Sequence, residues 1–88
     1  MEFQDLVDNG EAWVGGRIET FEGTEDVAYS AKVTKIHIKG NDFVVENDGT
    51  TSIEVSVKYS RLILLNGGAA IRFLIPYIGE AFLYKSKA

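Results

Sequence analysis

Between Val27 and Lys39 the alternation of apolar and polar residues changes phase once, and no other feature of this chain constrains its fold as strongly. Val27, Tyr29, Ala31 and Val33 share one face at odd positions, whereas Ile36 and Ile38 continue an apolar face at even ones. One extra residue near Thr34–Lys35 puts both sets on a single buried face. The segment therefore reads as a long strand carrying a β-bulge, a device that bends a strand sharply and lets a small sheet curl. Lys39-Gly40-Asn41-Asp42 follows as a tight turn, and Asn47-Asp48-Gly49 is the strongest hairpin signal in the chain. In the strand after it, Ile53, Val55, Val57 and Tyr59 alternate with Ser52, Glu54, Ser56 and Lys58.

The N-terminal segment has a different period. Phe3, Leu6 and Val7 stand at i, i+3 and i+4 with acidic residues among them, and Gly10 follows where a helix ends, so the spacing predicts a short helix over residues 2–9. Two turns are too few to stand alone in water, so those three side chains must pack on the rest of the chain. In the segment AWVGGRIETF, Val14, Ile18 and Phe21 anchor a strand. Its Gly15-Gly16 pair marks a bulge, a bend or a close approach of backbones. Further strands are expected at residues 62–65, 70–76 and 81–85, separated by Asn66-Gly67-Gly68 and by a break at Ile78-Gly79-Glu80.

The sum is one short helix and six or seven short strands joined mostly by hairpins, with no second helix to carry a parallel crossover. The expected fold is mainly β: a small antiparallel meander that closes into a bent SH3-like or Sm-like barrel of five to seven strands. An open sheet with the helix across one face is the alternative. With 88 residues, 45% of them apolar, the chain reads as a single domain spanning 1–88.

Charge is unevenly spread. Residues 1–26 hold Glu2, Asp5, Asp8, Glu11, Glu19, Glu22, Glu25 and Asp26 against Arg17 alone, whereas the remainder is mildly basic within a chain of net charge −4. This balance speaks against nonspecific duplex binding, which needs positive charge on the docking face. A stripe of Lys32, Lys35, His37 and Lys39 on one strand is the only pattern towards nucleic acid, and a solvated lysine face accounts for it. The first residues show no basic-then-apolar leader, and the apolar run at 71–78 is broken by Arg72 and is far short of a membrane span. Without cysteine there is no disulfide framework and no thiolate metal site, and the chain is expected to be cytoplasmic.

Signals for catalysis are thin. The single histidine, His37, falls between Ile36 and Ile38, so it points away from the apolar face beside lysines that disfavour its charged form and repel a cation. The pattern G-x-S-x-G is absent, the glycine pairs lack the spacing of phosphate loops, and ENDGTTSIE fails as a calcium loop because its first and last ligands would be Val44 and Val55. The chain is thus expected to be no enzyme and to need no cofactor or metal.

Residues 62–84, LILLNGGAAIRFLIPYIGEAFLY, carry large apolar groups on both faces of their strands. Something must cover the second face: the N-terminal helix, or another chain. Leu62, Leu64, Phe73, Ile75 and Phe82 are the expected interface of a homo-oligomer. Two functions follow. The first is a non-catalytic interaction module, an inhibitor or regulator, that meets a basic protein partner through Glu19, Glu22, Glu25 and Asp26. The second is a binder of a small anionic ligand or nucleotide, gripped at a subunit interface by Arg17, Arg61 or Arg72.

Overall fold

The computed structural model describes residues 2–22, 27–49, 51–75 and 79–86, of which 22, 27–29 and 75 are described by backbone alone. Helix α1 (Phe3–Asp8) is closed at its start by a capping box. Glu2 accepts from the backbone of Asp5, and the Asp5 carboxylate accepts the Glu2 N–H at 2.7 Å. A 3₁₀ turn over Gly10–Ala12 leads to the strands β1 (Arg17–Glu22), β2 (Val27–Lys39), β3 (Asp42–Asn47), β4 (Ile53–Ser56), β5 (Arg61–Leu65), β6 (Ala70–Ile75) and β7 (Gly79–Tyr84). All pairings are antiparallel, in one sheet of order β4-β3-β2-β1-β7-β6-β5.

The bulge falls where the change of phase puts it. The register of β2 on β3 slips between Val33 and Lys35, leaving Thr34 as the extra residue, and Val33 and Ile36 are both buried on either side of it. The first half of β2 pairs with β1 and the second half with β3, so this one strand carries the sheet around its bend. The β2–β3 turn has two residues, with Gly40 at φ 62°, the first central position of a type II′ hairpin. At the next hairpin the Asn47 side chain accepts the Gly49 N–H at 2.9 Å.

The sheet does not close, in contrast to the expected barrel: β4 and β5 stand at opposite ends of the strand order and are not paired with each other. Phe3 from α1 packs between Phe43 of β3, at 5.2 Å between ring centroids, and Phe73 of β6, at 5.7 Å, and so joins the two halves of the bent sheet across its concave side. Leu6, Trp13, Ile18, Ile71, Leu83, Val45 and Val55 complete the core around this aromatic trio.

Three local expectations change. The strand after the second hairpin stops at Ser56, and Tyr59, expected inward, is 67% exposed in a turn. Val14 is exposed instead of anchoring a strand, because residues 13–16 form a turn and β1 begins at Arg17. Phe73, expected at an interface, is fully buried against Phe3 and Phe43 and presents no surface.

Candidate functional site

Because paired residues in a sheet point to the same face, the register of β2, β1, β7, β6 and β5 fixes what the convex side displays. Lys32, Arg17 and Tyr84 form one row across β2, β1 and β7; Ser30, Glu19, Phe82, Arg72 and Ile63 form the next; Phe21, Glu80, Leu74 and Arg61 form the third. The helix lies on the opposite, concave side. Among the described residues nothing packs over Ile63, Leu65, Leu74 and Phe82, which are half-buried by their neighbours in the sheet.

At one end of this convex face a groove of about 640 Å³ opens between β2, β1 and the end of β7, lined by Gly15, Gly16, Arg17, Glu19, Lys32, Tyr84 and Lys85. Its floor depends on close backbone contact. The turn at residues 13–16 is tied to β2 beside the bulge, with Gly15 N–H donating to the Val33 carbonyl at 2.8 Å and Val33 N–H donating to the Gly16 carbonyl at 2.9 Å. A Cβ on Gly16 would overlap the Tyr84 carbonyl oxygen and stand 2.9 Å from that of Trp13, so only glycine lets β7 come this near.

Three cations and one carboxylate line the groove. Arg17 donates from Nη1 to Ser30 Oγ at 2.6 Å, which orients the guanidinium and leaves further N–H donors for a ligand. Lys85 Nζ sits 5.5 Å from the centre of the Trp13 ring, held there by cation–π attraction, and Lys32 extends from the first row beside Arg17. The carboxylate, Glu19, is engaged by Tyr84. Partial burial, then the hydrogen bond donated to Glu19 and the charge on that carboxylate, hold the Tyr84 phenol above its ordinary value of 10.0.

Of the expected ligand-binding arginines, only Arg17 lies in this groove. Arg72 points to the same face two strands away, where Nε donates to Glu80 Oε2 at 2.6 Å and Nη2 pairs with the same oxygen. Arg61 stands exposed at the start of β5, three strand spacings or roughly 14 Å from β1, so the three do not converge. Glu19 lies inside the groove instead of on an acidic loop. Glu22 belongs to β1, with a side chain outside the described residues, and Glu25 and Asp26 lie outside them altogether. Among the interface residues, Leu64 is 47% exposed, Leu62 packs partly against the core, Phe82 faces outward beside Phe21 at 5.2 Å, and the side chain of Ile75 is outside the described residues.

Residues Tyr84, Lys85, Gly15 and Gly16 had no local signal that marked them as part of a site. Fifteen positions separate Arg17 from Lys32, and only the β1–β2 and β1–β7 registers bring them into one row with Tyr84.

A second, smaller groove of about 320 Å³ lies over the far half of β2 with β3 and β4, lined by residues that include His37, Lys39, Glu46 and Glu54. His37 projects from the apolar face as its spacing implies, but its partner is an acid: Nε2 is 2.8 Å from Glu46 Oε2. No group of three or more histidines or acids suited to a metal ion occurs among the described residues, and no described helix is long and apolar enough to cross a membrane. No family model, no curated protein and no solved structure matches this chain.

Proposed function

We propose that this chain is a non-catalytic binding module that holds an oxyanion in the groove between Lys32, Arg17 and Lys85. The observation that carries this reading is the local reversal of charge. In a protein of net charge −4, three cations and a single carboxylate line one groove. Positive potential focused in a concave site raises the local concentration of an anion, and the Arg17 fork gives such a group two parallel donors. Ser30 holds that fork in place before the ligand arrives, which lowers the ordering cost of binding.

A titration of the 15N-labelled protein with inorganic phosphate tests this reading, with sodium chloride at matched ionic strength as the control. Saturable shifts are expected at the amides of Gly15, Gly16, Arg17 and Lys32, and they are expected to disappear in Arg17→Lys, since lysine lacks the fork. Shifts that follow ionic strength alone, or that centre on Arg61 and Arg72, refute the assignment.

A further inference from the structure

The two edges of the sheet are built differently. At one end β4 spans four residues, Ile53–Ser56, with Glu54 exposed on it, a short and charged edge of the kind that discourages further pairing. At the other end β5 reads Arg-Leu-Ile-Leu-Leu, without lysine, proline or an acid, and its ladder to β6 runs from Arg61 to Leu65 without a register shift. Among the described residues no backbone hydrogen bond reaches β5 from its outer side. Leu64, one of three exposed large apolar residues among the described ones, lies on this strand.

From this asymmetry we infer that β5 is a self-pairing edge, on which a second copy of the chain adds its own β5 antiparallel across a two-fold axis at Ile63. The register follows from the strand itself. Full overlap of five residues places Ile63 opposite Ile63 of the second copy, Leu62 opposite Leu64, and Arg61 opposite Leu65. Leu64 is then covered by a leucine. The lone charge of the strand, Arg61, falls at opposite ends of the new ladder, about 13 Å from its counterpart, so like charges do not meet. A second copy fits this register because the three central positions meet apolar residues of the same kind, Leu62 with Leu64 and Ile63 with Ile63, while the two arginines stay apart. The inference goes beyond the anion-binding reading and does not depend on it, since the groove lies at the other end of the convex face.

The test is sedimentation equilibrium of the full chain over roughly 10 to 500 µM, the range in which a contact of this size dissociates, together with hydrogen exchange of the β5 amides. A monomer–dimer equilibrium is expected, with amides of β5 gaining protection as concentration rises. Leu64→Lys is expected to abolish the dimer while circular dichroism stays unchanged, because that side chain is exposed in the monomer. Glu54→Lys, at the opposite edge, is expected to leave the dimer intact. A monomer at every concentration overturns the inference, as does a dimer that survives Leu64→Lys or one whose protection falls outside β5.

Discussion

Replacing Gly16 by alanine is expected to lower the stability of this protein by about 2–4 kcal/mol, far more than one added methyl group costs at an open position. The penalty is steric, because Gly16 is not among the glycines with positive φ. Its new Cβ would overlap the Tyr84 carbonyl oxygen and meet the Trp13 carbonyl oxygen at 2.9 Å and the Lys85 carbonyl carbon at 3.0 Å, all of them backbone atoms. Carbon and oxygen in contact rest at about 3.3–3.6 Å, so the end of β7 must retreat from the turn. That retreat strains the Ser86 N–H bond to the Ala12 carbonyl and the Val33 bond to Gly16, both 2.9 Å, and uncovers part of the Trp13 ring. Two such hydrogen bonds at about 1 kcal/mol each, with lost aromatic burial of similar size, make up the estimate. At about 4–8 °C per kcal/mol for a domain of this length, the melting temperature is expected to fall by roughly 10–30 °C. Differential scanning calorimetry measures it, with Gly10→Ala as the matched control: the Cβ there would meet only Ile36, at 3.6 Å, an ordinary contact. A Gly16→Ala protein melting within about 3 °C of the parent refutes the close approach of β7 to the turn, and with it the floor of the groove.

Phe3→Ala is expected to cost about 3–5 kcal/mol in urea denaturation, because the buried ring packs on both Phe43 and Phe73 and, with Leu6, holds a helix of six residues on the core. A loss below about 1 kcal/mol would show that the helix does not join the two halves. Tyr84 gives a pH signature. Its folded value lies above 10.0, so between that pH and its folded value the unfolded chain has released a proton that the folded chain retains. Its contribution to stability is therefore complete below pH 10.0 and is lost as pH rises through the folded value. Absorbance of tyrosinate during alkaline titration is expected to lose a step above pH 10.0 in Tyr84→Phe, and that step is expected to move earlier in Glu19→Gln; an unchanged curve in both variants removes the influence of Glu19 on Tyr84 from the site.

Elements whose signal is local were legible in the chain. The helix over 3–8 follows from the spacing of Phe3, Leu6 and Val7, the bulge at Thr34 from one change of phase, and the two hairpins after Lys39 and Asn47 from their turn residues. The strand ending at Ser56 was read too long, because the alternation continues through Val57 to Tyr59 after the backbone has turned away. At the site, Arg17 was legible as a candidate, but its partners were not. Arg61 and Arg72 share its face without sharing its groove, since Arg72 is bound by Glu80 and Arg61 is three strands distant.

Residue order alone determined the class of this protein: an antiparallel β structure with one dependent helix and a bent long strand. Those properties depend on periods of two and of 3.6 and on turn chemistry within a few residues, which any short window contains. Closure, edges and site were decided by tertiary structure. That β4 and β5 stay unpaired, and that Phe3 meets Phe43 from forty positions away, no short window of sequence shows. Lys32, Arg17 and Tyr84 become neighbours only when three strands settle into register, because a sheet converts distance along the chain into adjacency across it.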